Sequence, residues 1–218
     1  MRFQRTGFIR PGPVCLVALG ALIWLGCGKA PTLVQKYILE YPAPGREGKT
    51  KIDEALKVEL FAVAQAYNST AMVYRPTPFK SEAYTYHRWR VNPGNLVSDY
   101  LVRDFRSAGL FKAVFSGGRG DPSRFVLEGG VEEFQEVDAP EGWQAVLILN
   151  LTLLDTNYQE IPQRVVFQKN YQALEPMPEK TPGGLAQGMS RALEKLSGQI
   201  QADVYEAALK RVRGKGKP

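Results

Sequence analysis

The sequence predicts an α+β fold, a largely antiparallel mixed sheet with two helices packed on it. Three observations predict it. Short segments in which apolar and polar residues alternate fill most of residues 35–171, the pattern of half-buried strands. Two segments, 96–110 and 185–208, instead place apolar residues three or four apart, which gathers them on one side of a helix. Proline and glycine clusters punctuate the joins.

Taken in order, Gln35 to Tyr41 reads as a first strand, stopped by Pro42-Ala43-Pro44-Gly45, and a charged loop follows to about Glu54. From Leu56 to Ala64, Leu56, Val58, Leu60 and Ala62 share one face, with Lys57 and Glu59 on the other. Asn68-Ser69 fits a turn, Thr70 to Arg75 a short strand, and Arg75-Pro76-Thr77-Pro78 breaks the pattern. Glu82 to Arg90 resumes it, with Tyr84, Tyr86, Arg88 and Arg90 on one face and Thr85, His87 and Trp89 on the other. Pro93-Gly94-Asn95 reads as a turn delivering an N-cap, the run from Leu96 to Leu110 places Leu96, Tyr100, Leu101, Phe105 and Ala108 on one side of a helix, and Gly109 stops it.

Phe111 to Phe115 is a short strand before the loop Gly117 to Pro122. Phe125, Leu127, Gly129 and Val131 then share a face, with a bulge expected at Gly129-Gly130. The row Trp143, Ala145, Leu147, Leu149, Leu151 and Leu153 is the most apolar in the chain, and its opposite face is half apolar, as in a central strand. Arg164 to Tyr171 runs back. Pro182-Gly183-Gly184 opens a long amphipathic helix carrying Leu185, Met189, Leu193, Leu196, Ile200, Val204 and Ala208, expected to run to about Arg211 with basic residues at its C-terminal end.

The N-terminus has its own logic. Arg2, Arg5 and Arg10 precede an apolar run from Val14 to Leu25, and Gly26 stands before Cys27. This is the layout of a secretory signal ending in a lipidation site: residues 1–26 are expected to be removed and Cys27 to be acylated. The twelve apolar residues would make only ~18 Å of helix against a hydrocarbon core of ~30 Å, too short to span. The expected organisation is a signal over 1–26, a tether over 27–33, one α+β domain over 34–211 and a basic tail over 212–218.

Charge excludes a class. The 218-residue chain carries +6, but removing the three signal arginines leaves 25 basic against 22 acidic residues. Five of the remaining basic residues (Lys210, Arg211, Arg213, Lys215, Lys217) lie in the last nine, so the body between is close to neutral and has no basic face for nucleic acid. Both cysteines, Cys15 and Cys27, lie in the N-terminal segment, which leaves the exported domain without a thiol to mispair.

Catalytic material is scarce. His87 is the one histidine, so a nucleophile–base triad or a histidine metal centre has little to draw on. Glu132 and Glu133 are adjacent in a strand, which turns them to opposite faces. Gly117 to Gly120 lacks the Gly-Lys-Ser/Thr ending of a phosphate loop. The chain is expected to be no enzyme and to need neither metal nor cofactor. The row Tyr84, Tyr86, Arg88 and Arg90 has the composition of a partner-binding surface, or else covers a sheet face with arginine stems lying over aromatic rings.

Several short motifs, in order, resemble the ABC-type transport auxiliary lipoprotein family, the PqiC-like lipoproteins. They are Tyr37-Ile38-Leu39-Glu40, Met72-Val73-Tyr74-Arg75, Arg88-Trp89-Arg90 with Pro93, Leu110-Phe111-Lys112-Ala113-Val114, and Phe125-Val126-Leu127-Glu128 with Phe134. The resemblance implies a fold like the N-terminal domain of TolB. It implies an accessory lipoprotein of an MCE-type (mammalian cell entry) ABC system for intermembrane lipid transport, lipid-anchored on the periplasmic face of the bacterial outer membrane. Its partner would be an MCE-domain periplasmic protein, and a homo-oligomer is compatible with it. The alternative is an assembly lipoprotein that supports an outer-membrane or cell-wall complex without handling lipid.

Overall fold

The computed structural model describes residues 33–45, 48–118 and 122–214. The compact unit begins at Val34. Its strands are β1 (Gln35–Tyr37), β2 (Ile52–Val58), β3 (Ala62–Val63), β4 (Ala71–Thr77), β5 (Lys80–Trp89), β6 (Phe111–Ser116), β7 (Phe125–Ala139), β8 (Gly142–Asp155) and β9 (Val165–Pro176). The helices are α1 (Pro93–Ala108), the single turn α2 (Ile161–Arg164) and α3 (Pro182–Gly214).

β7 is the spine of the sheet. Along one side it pairs antiparallel with β8, which pairs antiparallel with β9. Along its other side it takes three parallel partners in succession, β2, β3 and β4. The sheet therefore forks: β6 extends it beyond β2, while β5 and then β1 extend it beyond β4. The architecture is mixed α+β, with a long antiparallel meander and parallel joins to the N-terminal strands.

Both long helices begin at capped ends. The Asn92 side chain accepts from the Gly94 N–H at 2.9 Å with Pro93 at the first helical position, and Thr181 does the same for Gly184 at 3.0 Å before α3. Gly109 closes α1 in the left-handed conformation (φ 64°), which a side chain would strain. In α3 all seven residues of the expected stripe, Leu185 to Ala208, have no exposed surface, and they face Ala145, Leu147, Leu149, Leu151 and Leu153 of β8, which are equally buried. A Cβ on Gly188 would sit 2.7 Å from the Ala145 Cβ, so glycine sets how closely α3 lies on the sheet.

The structure departs from the expected pattern where strands bend. β2 stops at Val58, and the chain crosses to β3 through residues 59–61; that crossing flips the alternation, leaving Leu60 exposed and burying Phe61 instead. The bulge in β7 lies between Val131 and Glu133 rather than at Gly129-Gly130. The first strand keeps only three residues, because Leu39 and Tyr41 leave the sheet edge to pack under the helices. There the Tyr41 hydroxyl and the Ser197 hydroxyl donate to buried Asp104 at 2.7 and 2.6 Å. Trp143 begins the β8 row but lies past the helices and is 39% exposed.

Candidate functional site

β5 decides where a partner could dock. One of its sides pairs with β4; the other meets β1, and only over His87 to Trp89. Among the described residues no strand pairs with the outer edge of residues 80–86, which leaves its backbone groups available to a further strand.

Three of the four predicted partner-binding residues sit on this strand and Arg90 just past its end, and they do not share one face. Pairing with β4 shifts register between Ala83 and Arg88, so β5 carries extra residues there. A bulge breaks the two-residue period on which the predicted row depends. Tyr84 turns inward: its hydroxyl donates to Glu136 at 2.8 Å, and its ring lies 4.9 Å from that of Tyr74. Arg88 folds back, its Nη1 donating to the backbone carbonyls of Tyr84 at 2.5 Å and His87 at 2.8 Å, which satisfies groups the bulge releases from the ladder. Tyr86 projects outward at 49% exposure, and Arg90 is exposed just past the strand end. Of the row, Tyr86 and Arg90 are presented to solvent, whereas Tyr84 and Arg88 hold the strand in shape. His87 lies between two tyrosines, Nδ1 3.0 Å from the Tyr37 hydroxyl and its ring edge-on to Tyr84. Cys27 lies outside the described residues.

Behind β5 is a polar cluster that the sequence patterns did not reveal. After the β7 bulge, Phe134 and Glu136 fall on the helix-facing side, opposite Leu147 and Ala145. Glu136 is fully buried; Oε2 takes the Tyr84 hydrogen bond while Oε1 has no hydrogen-bond partner among the described residues. Burial pushes its carboxyl above the usual range, only partly offset by the Tyr84 hydrogen bond. Burial and the bond to Glu136 likewise push the Tyr84 phenol up. Around them, Tyr74 donates to Glu82, Lys80 pairs with Glu82, and Lys180 pairs with Asp138. The hydrogen bonds from Lys80 and Tyr74 hold Glu82 below its ordinary value, and Asp138 raises Lys180. The available signal was the bulge expected at Gly129-Gly130, which, like the observed one two residues on, puts Phe134 and Glu136 on the inner face.

A second buried charge group closes the other end of the same inner row. Arg124 donates through Nε and Nη2 to the two carboxylate oxygens of Asp155, both at 3.1 Å, and through Nη1 to Glu54 at 2.8 Å. Its Nη2 also reaches the Arg211 carbonyl at 3.4 Å, tying the end of α3 to the sheet. These are structural fixtures: each carboxylate oxygen of Asp155 is already occupied. Among the described residues no group of three or more His, Cys, Asp or Glu side chains is gathered to hold a metal, and no helix is long and apolar enough to cross a membrane.

Residues 37–201 match the family model of the ABC-type transport auxiliary lipoprotein component. The chain belongs to that family. Among solved structures, a Xanthomonas campestris protein of the DUF330 family superposes with a TM-score of 0.74 at 20% identity, covering 83% of this chain and 99% of that one. An uncharacterized protein gives 0.60 at 13% identity over 78% and 99% of the two chains. A hypothetical protein of Chlamydia trachomatis gives 0.50 at 9% identity over 70% and 96%. These likenesses show a shared fold. No curated protein matches.

Proposed function

We propose that this auxiliary lipoprotein serves an MCE-type ABC system that moves lipid between membranes, held at the periplasmic face of the outer membrane by acyl chains on Cys27. It docks the periplasm-spanning MCE partner and does no chemistry itself. The observation that carries the docking is the open edge of β5. A partner strand laid along residues 80–86 would gain main-chain hydrogen bonds, and Tyr86 offers a rigid aromatic anchor beside it. The non-catalytic reading is supported by the composition of the chain, in which His87 is the single histidine and packs between Tyr37 and Tyr84.

Tyr86→Ala tests the docking, because the side chain is half-exposed and the domain's stability hardly depends on it. Affinity for the MCE partner, measured by calorimetry, is expected to fall at least several-fold, about 1 kcal/mol or more, while the melting temperature stays put. Unchanged affinity overturns docking at this edge. Arg88→Ala is the wrong probe, since it strips the bulge of its hydrogen bonds and lowers stability for that reason alone. For the anchor, the intact mass of the wild-type protein should show acylated Cys27, and Cys27→Ala should remain an unlipidated precursor.

A further inference from the structure

Phe79 occupies an unusual place. It follows Pro78 in the two-residue turn between β4 and β5, where Thr77 pairs with Lys80. Its φ of 67° is in the left-handed region, and among the described residues it is the one non-glycine there. Turns of this kind favour glycine or asparagine at that position, because a side chain crowds the backbone. Here the chain instead carries a phenylalanine that nothing among the described residues covers, at 107% relative exposure. The backbone accepts strain to hold an aromatic ring out in solvent.

The strand directions place this ring at one end of the domain. β4 runs parallel to the last residues of β7, Tyr74 beside Glu136 and Arg75 beside Val137, so the β4–β5 turn lies next to the β7–β8 turn. Half-exposed Trp143 begins β8 at this end, and the Lys180–Asp138 pair before α3 lies there too. β1 is parallel to β5 with Gln35 beside His87, so the chain entering β1 comes from the direction of Phe79.

Chain length then matters. Gln35 lies level with His87, eight residues along β5 from Phe79, but the bulge takes up part of that length: Arg88 is level with Ala71 and Lys80 with Thr77, only six residues of β4, so the overhang is ~20 Å at strand rise. From Cys27 to Gln35 is also eight residues, with a maximum reach of ~26–29 Å. That reach is more than enough for the tether to bring Cys27 to the level of Phe79. α3, ~50 Å long, carries the opposite end of the domain away from this one.

We propose that the Pro78-Phe79 turn is a membrane-contacting tip: Phe79 inserts into the bilayer that holds the acylated Cys27, and the domain stands on this end. The proposal rests on the lipidation of Cys27. The tip's charges are mixed, Lys80 and Lys180 against Glu82, Asp138 and Glu141, so the contact is apolar and does not require anionic lipid. A bilayer suits an exposed phenylalanine at the end of the domain that also carries partly exposed Trp143, tryptophan being enriched at membrane–water interfaces.

The test uses the lipoprotein purified from cells and reconstituted into phosphatidylcholine vesicles, with a nitroxide on Phe79→Cys or, as the far-end control, on exposed Ile161→Cys. With Cys27 acylated, the introduced thiol is the reactive one. The label at 79 is expected to collide more often with lipid-soluble oxygen than with a water-soluble nickel chelate, and the label at 161 the reverse, with no change in high salt. A water-exposed label at 79 on protein whose intact mass shows acylated Cys27 overturns the proposal alone. A lipid-exposed label at 161 overturns it in favour of the inverted orientation. An unmodified Cys27 overturns the anchor and the proposal with it, and the mass separates that failure from the others.

Discussion

Removing one oxygen-bearing side chain, Asp155, should expose how much the far end of the sheet relies on a buried charge pair. Arg124 and Asp155 are 7% and 0% exposed and make two parallel hydrogen bonds. Asp155→Ala leaves the guanidinium buried with Glu54 as its remaining carboxylate partner, at 2.8 Å and 34% exposed. Breaking a buried pair from one side costs about 3–5 kcal/mol, because an uncompensated charge stays out of water. The Glu54 contact persists, so the lower end applies, about 3 kcal/mol. For a domain of this size that is a fall of roughly 6–12 °C in melting temperature. Denaturant unfolding at neutral pH gives the free energy, and the paired variant Arg124→Met/Asp155→Leu gives the control. It removes both charges and keeps most of the volume, so it should lie within about 1 kcal/mol of wild type. If Asp155→Ala costs less than about 1 kcal/mol, or the double variant is as damaged as the single one, stranded charge is not what the pair prevents and the reasoning fails.

The remaining predictions concern the helix seat and the polar cluster. In α3, Gly188→Ala gains about 1 kcal/mol of helix propensity but forces its Cβ to 2.7 Å from Ala145, an overpacking of about 1–3 kcal/mol, so net destabilisation of about 1 kcal/mol is expected. Gly198→Ala meets nothing within 4 Å and should stabilise by about 1 kcal/mol in the same thermal melts; a shared sign would refute the close-approach argument. Glu136 has a raised folded pKa, so it adds stability below its unfolded value of about 4.3 and loses that contribution as pH rises through the folded one. Glu136→Gln should therefore raise the melting temperature at pH 7, with the advantage shrinking towards pH 4, and a pH-independent difference would count against a titrating carboxyl.

Period and punctuation in the sequence determined the elements that repeat without interruption. The stripe from Leu185 to Ala208 and the row from Ala145 to Leu153 were legible because a helix and a flat strand each keep one period, and burial follows it. Gly109 marked the end of its helix through local backbone geometry, which needs no distant partner, whereas the capping side chains Asn92 and Thr181 came from the structure. The lipidation reading of Cys27 and the family motifs are likewise written in contiguous residues. Tertiary structure alone decided what happens at irregularities. An unforeseen bulge in β5 split Tyr84, Tyr86, Arg88 and Arg90 between inside and outside, since extra residues break the alternation of faces, and the bulge expected in β7 settled two residues further on, between Val131 and Glu133. Which strand lies beside which was equally out of reach. The forking of three parallel partners along β7, the open side of β5 and the placing of Phe79 at the end from which the chain enters β1 depend on pairings between segments far apart in the chain, and single-strand periodicity carries no information about them.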